Sequence, residues 1–148
     1  MRSSSSSAPD ASFAAFLARS LTLLARELPW GYAAMSRALG RRTVTIEVDG
    51  ESCGVLCDGA SVRLAGLATI QPDVECRTTR RAILDLVDAR TTLAEAVVED
   101  RVFLRGDVDD LLAFHDGLMG YLGGAVRSPG FVWLLREFRA ASMGEEGA

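Results

Sequence analysis

Residues 96–122, AVVEDRVFLRGDVDDLLAFHDGLMGYL, constrain the fold more than any other stretch of the chain. Val102 and Leu104 alternate with Phe103 and Arg105 as in a short strand, Gly106 ends the run, and Asp107 opens a helix over 107–122. Val108, Leu111, Leu112, His115, Leu118, Met119 and Leu122 recur at helical spacing, which predicts one broad apolar stripe. A strand feeding straight into so apolar a helix needs a sheet, other helices or a ligand to cover it.

The segments before it supply that cover. Residues 1–9, MRSSSSSAP, are polar, of low complexity and expected to be disordered. Capped by Asp10 or Ser12, a helix carries Phe13, Phe16, Leu17, Leu21, Leu24 and Leu28 on one face as far as Pro29. A second short helix, Gly31–Leu39, is stopped by Gly40 and anchored by Tyr32 and Met35. From Arg41 the period becomes 2: Val44, Ile46 and Val48 face one side, Thr43, Thr45 and Glu47 the other. Asp-Gly pairs at 49–50 and 58–59 bracket a second strand, Ser52–Cys57, and a third runs through Val62 and Leu64, so the three form a meander. Val74–Arg77 reads as a fourth strand. Thr78 or Thr79 then caps a helix through Ala89 with Ala82, Ile83, Leu86 and Val87 inward, and Thr92 and Glu95 have capping-box spacing for a short helix containing Val97. After the long helix, Gly123-Gly124 reads as a break, and Ser128-Pro129 starts a last amphipathic helix, 130–140, bearing Phe131, Trp133, Leu134, Leu135 and Phe138. Residues 143–148 are expected to form a flexible tail.

The 148 residues fit one domain, 10–142. A net charge of -4 excludes a general nucleic-acid binder, which needs a clustered basic face. Cys53 and Cys57 would lie about 13 Å apart along a strand, too far for a disulfide, and a single histidine offers no zinc spacing. Buried reduced thiols and no metal or cofactor follow, in a cytoplasmic protein. No apolar run approaches the roughly 20 residues that span a bilayer.

The chain resembles the sterol carrier protein type-2 family over roughly residues 43–122. The resemblance rests on the strand ending in Asp49-Gly50, on Val74-Glu75-Cys76-Arg77 before a Thr-capped helix, and on Ala96 five residues before Arg101-Val102-Phe103-Leu104-Arg105-Gly106-Asp107. Asp100 departs from it, since the family usually has Gly there. The resemblance implies an α+β fold, a five-stranded mixed sheet with helices packed over one face enclosing an apolar tunnel for a fatty acyl, sterol or similar lipid.

On that reading Phe103, Leu111, Phe114, Leu118 and Met119 line the cavity or fill the core, joined by Ile83, Leu86, Val97 and Leu122. His115, the single histidine, is a structural histidine or a polar contact for the ligand. Asp107, Asp109 and Asp110 are helix-capping carboxylates. Trp133 and Phe138 belong to a helix that would cover the tunnel, with Gly123, Gly124 and Gly130 giving it freedom to open. The sequence contains no phosphate loop or nucleophile elbow, which favours binding or transfer of a hydrophobic ligand over catalysis. Two other readings stand beside it: an accessory protein presenting a lipophilic intermediate to biosynthetic enzymes, and an isomerase or cyclase using His115. Expected partners are the lipid ligand, a membrane surface touched transiently, a biosynthetic enzyme or a second copy of the chain.

Overall fold

The computed structural model describes residues 12–66 and 71–147, with the side chains described as far as 142. The expected tail 1–9, the alternative cap Asp10 and residue 148 lie outside the described residues. The elements in order are α1 (Phe13–Glu27), α2 (Pro29–Leu39), β1 (Arg41–Val48), β2 (Glu51–Asp58), β3 (Val62–Ala65), β4 (Val74–Thr78), α3 (Arg80–Val87), α4 (Leu93–Val98), β5 (Phe103–Gly106), α5 (Val108–Ala125) and α6 (Phe131–Gly147). The last helix runs well past the expected 140.

The strands form one mixed sheet in the order β3-β2-β1-β4-β5, with β1 parallel to β4 and the other pairs antiparallel. Asp49 and Gly50 both take positive φ, 51° and 89°, as a two-residue hairpin turn requires. Period-2 alternation then fixes which side chains meet. Val44 lies opposite Val55 and Val74, and Ile46 opposite Cys53 and Cys76, so these six make the inner face that the helices cover. Leu104 pairs with Cys76 and joins them, whereas Phe103 pairs with Arg77 on the outer face, where the guanidinium stands 4.5 Å from its ring centroid.

Local capping sets the helix ends. Ser12, Thr79 and Thr92 each accept from the backbone N–H three residues on, and Thr92 and Glu95 form the full capping box. Asp100 takes a left-handed φ of 61°; its N–H donates to the carbonyl of Val97 while that of Arg101 donates to the carbonyl of Ala96 at 2.8 Å. This is a Schellman end, in which aspartate occupies the position where glycine is usual. Ala96, five residues before Arg101, is fully buried and its carbonyl receives that bond. Asp107 is the N-cap of α5 by backbone conformation but makes no side-chain cap bond, and Asp110 instead accepts from Arg42 at 2.8 Å.

Gly123-Gly124 does not break α5, which runs through both to Ala125. Of the two, Gly124 serves packing, as does Gly117 two turns earlier. A Cβ on Gly124 would lie 2.5 Å from Cδ1 of the fully buried Leu24, and one on Gly117 would lie 2.5 Å from Leu39, so these glycines let α5 sit close on α1 and α2. Gly123 faces open space. Neighbouring substitutions should therefore have opposite signs in urea unfolding: Gly123→Ala stabilises by about 0.5–1 kcal/mol through helix propensity. Gly124→Ala loses about 1–3 kcal/mol to overpacking, more than that gain.

Helix α6 is anchored from its first turn as far as Arg139. At its start Glu27 accepts from the Ser128 hydroxyl and, at 3.1 Å, from the N–H of Gly130; these bonds hold its carboxyl below the usual range. Glu137 pairs with Arg19 at 2.9 Å and Arg139 with Asp88 at 2.9 Å. Between them Phe131, Leu134 and Phe138 are buried in a cluster with Phe13 and Phe16, and the Phe138 ring stacks on Phe16 at 4.3 Å. Gly130 donates its N–H to Glu27, and a Cβ there would lie 2.9 Å from Leu23.

Candidate functional site

Between the inner face of the sheet and the helices lies a cavity of about 150 Å³. Helix α1 contributes Phe13, Phe16, Leu17 and Leu21; α2 contributes Met35 and Leu39. The floor is Val44, Ile46, Val55, Cys57, Val62 and Cys76 from the sheet, and Ile83, Leu86, Leu93 and Val102 close one end. Helix α5 forms the remaining wall with Phe114, Gly117, Leu118, Tyr121 and Leu122.

Among the described residues no charged side chain reaches this wall, and its two hydroxyl protons are already used. Thr78 donates to the carbonyl of Arg101 at 3.0 Å. Ser20 donates its single proton to the carbonyl of Leu17 at 2.8 Å, so in the 2.6 Å contact between Ser20 and Tyr121 the tyrosine is the donor. Burial raises the Tyr121 phenol to about 12, against the lowering effect of the Ser20 bond. The thiols are likewise neutral: burial, reinforced by Asp58, raises Cys57 to about 11, and burial alone raises Cys76 to about 12. A wall without an ionised, nucleophilic or proton-transferring group near neutral pH can enclose hydrocarbon and do little chemistry. Among the described residues, no group of three or more His, Cys, Asp or Glu side chains could hold a metal.

Of the residues singled out from the sequence, Ile83, Leu86, Phe114, Leu118 and Leu122 stand on this wall. Seven stand elsewhere. Phe103 is on the outer face of the sheet, Val97 is exposed on α4, and Leu111 packs beside the cavity against the core. His115 is half exposed, 3.3 Å from Asp116, and Met119 is also exposed. Trp133 is exposed on α6, while Phe138 is buried behind Phe16 and so one layer removed from the cavity. The inward stripe of α5 is thus 114-117-118-121-122, turned about one residue's rotation from the expected 108-111-112-115-118-119-122 and sharing only 118 and 122 with it, and α6 backs α1 and does not roof the void. Tyr121 and the α1 and sheet residues were missed; Gly117 and Gly124, at helical spacing on the inner side, are the signal that marks the true face.

No family model matches the chain, and no curated protein is significantly similar to it in sequence. Solved structures are similar in fold. UbiJ-SCP2, a ubiquinone synthesis protein, superposes with a TM-score of 0.57 at 17% identity, covering 81% of this chain and 95% of that one. Sterol carrier protein 2 from Yarrowia lipolytica, in its apo form, gives 0.54 at 10% identity over 78% of this chain and 96% of its own. The sterol carrier protein domain 2 of Helicoverpa armigera gives 0.54 at 11% identity over 73% and 89%. The chain has the sterol carrier protein 2 fold.

Proposed function

We propose that this sterol carrier protein 2 fold binds a hydrophobic ligand non-covalently in the apolar cavity and carries or presents it, in the cytoplasm, without transforming it. The observation behind the reading is the wall itself: hydrocarbon on every side, no charge, and every hydroxyl proton committed. A dry cavity of about 150 Å³ lined by Leu, Ile and Phe takes a ligand the size of one benzene ring. A fatty acyl, sterol or quinone-like lipid therefore extends it into the expected tunnel by turning flexible wall residues such as Leu17, Met35 and Leu118, and keeps its polar head outside. Displacement of a fluorescent fatty acid should occur at micromolar concentrations, about -8 kcal/mol, and native mass spectrometry of the purified protein should show a bound lipid. A protein that neither takes up the probe nor retains any lipid overturns the reading.

One observation favours a second reading, an accessory protein that offers a lipophilic intermediate to an enzyme. Val108, Leu112 and Met119 form an exposed apolar row along α5, a surface suited to an enzyme partner or a second copy. That a structural neighbour is a ubiquinone synthesis protein agrees with it. Co-purification with both an enzyme and a prenylated intermediate supports this role; a monomer that comes down with neither counts against it. The isomerase or cyclase reading has no support from His115, which lies off the cavity wall.

A further inference from the structure

The chain has two tryptophans, and both are on the surface at the same end of the molecule: Trp30 is 59% exposed and Trp133 64%. Tryptophan is ordinarily largely buried, so two exposed copies together are a departure that calls for a cause. Each has an arginine over its ring, Arg127 at 5.7 Å from Trp30 and Arg136 at 4.8 Å from Trp133. They are joined by the contact between the end of α1 and the turn before α6. Trp30 stands in the first turn of α2, three residues after α1 ends, Glu27 holds Gly130, and Trp133 shares a shallow groove with Arg19, Arg26 and Gly130. Val126 and Val132, both more than half exposed, fill in the same end.

The charge there runs against that of the whole chain. Arg19, Arg26, Arg127, Arg136 and Arg139 face Glu27, Glu137 and Asp88, of which Glu27 is engaged by Ser128 and Gly130, Glu137 by Arg19 and Asp88 by Arg139. Arg26, Arg127 and Arg136 make no salt bridge among the described residues. The opposite end of α5, about 27 Å away for 18 residues, carries Asp107 and Asp109 beside the Asp110–Arg42 pair. A protein of net charge -4 thus has one locally positive, aromatic end and an acidic far end.

We infer that the Trp30–Trp133 end is a docking face for an anionic lipid surface, on which the molecule stands with α5 pointing away. Indole rings partition to the level of the headgroups, where an apolar ring and a polar N–H both find their medium. Arginines beside them meet lipid phosphates, and the acidic far end is repelled, which fixes the orientation. The face goes beyond the cavity reading and does not depend on what the cavity holds. Helix α1 connects the two, since its inner side lines the cavity and its outer side forms part of the face.

Because both tryptophans lie in the face, their emission reports on it alone. The full chain is mixed with phosphatidylcholine vesicles, with and without about 30% phosphatidylserine, at low and high salt. Binding should be about tenfold tighter with phosphatidylserine, with a blue shift of emission, and both effects should vanish in high salt. Arg127→Glu/Arg136→Glu should bind anionic vesicles no better than neutral ones, while Trp30→Ala/Trp133→Ala should bind them more weakly; both changes are at exposed positions. Equal binding to the two vesicles overturns the inference, as does anionic binding with unshifted emission or one that the charge reversals leave intact. Soluble polyglutamate bound as tightly as the vesicles overturns it too, in favour of an acidic protein partner.

Discussion

A chain truncated after Arg127 should lose its cooperative unfolding transition at 25 °C and bind hydrophobic dyes along its whole length. Phe131, Leu134 and Phe138 are each at most 5% exposed, and burial of such side chains contributes about 1.5–3 kcal/mol apiece, roughly 5–9 kcal/mol together. Whole domains of this size are stable by about 5–15 kcal/mol. The loss does not stop at the removed helix. Phe13 and Phe16 would be uncovered, and so would the buried Arg80, whose guanidinium lies 5.0 Å from the Phe138 ring and pairs with Glu51 at 2.9 Å. Glu51 in turn accepts from the first N–H of α1 at 3.0 Å, so truncation undermines the helix that walls the cavity. From sequence alone α6 reads as a movable cover, for which truncation would leave a folded but sticky domain. Its aromatic core shared with α1 makes it a structural layer. Circular dichroism and a urea titration decide: a cooperative transition with only a small loss of stability means that α6 is a cover after all.

That difference shows where the sequence stops being informative. Signals that act within a few residues carried through: the Asp-Gly turns, the period-2 strands, the caps at Ser12 and Thr79 and the Thr92–Glu95 box all form as read. The resemblance to sterol carrier proteins, carried by those local features, agrees with the fold. What failed needs knowledge of the partner surface. Helix α5 is apolar nearly all round, so periodicity alone admits two stripes, and only the position of Leu24 and Leu39 against Gly124 and Gly117 selects between them. Gly123-Gly124 reads as a helix end by propensity, which tertiary packing overrode. Phe103 could have been placed: it alternates with Leu104, so it had to share the outer face with Arg105. The cavity belongs to no single segment, being enclosed by five helices, the sheet and Val102, and its α1 and sheet residues carry no mark that distinguishes them from core.

Leu118→Trp should abolish ligand binding, by at least about a hundredfold or close to 3 kcal/mol, while leaving the thermal midpoint unchanged or raised. The position is on the inner stripe of α5, facing the void between Phe114 and Leu122, with the sheet across from it. In a closely packed core a side chain larger by an aromatic ring forces its neighbours off their rotamers and costs about 1–3 kcal/mol. In a void of about 150 Å³ the indole finds space that was empty, gains contacts that its lining lacked and occupies the volume the ligand would take. The two measurements separate the cases that either alone leaves mixed. Lost binding with preserved stability identifies a ligand cavity; lost binding with a marked drop in stability identifies an ordinary core whose disruption unfolds the protein; retained binding places the ligand outside the void. The enlarged residue also tests the extension of the cavity by rotamer changes, because Leu118 is among the side chains that must turn for a long chain to enter. A shorter ligand, filling only the region beside Val62 and Met35, should therefore survive the substitution better than a long one, and the ratio of the two affinities measures how far a bound ligand reaches along α5.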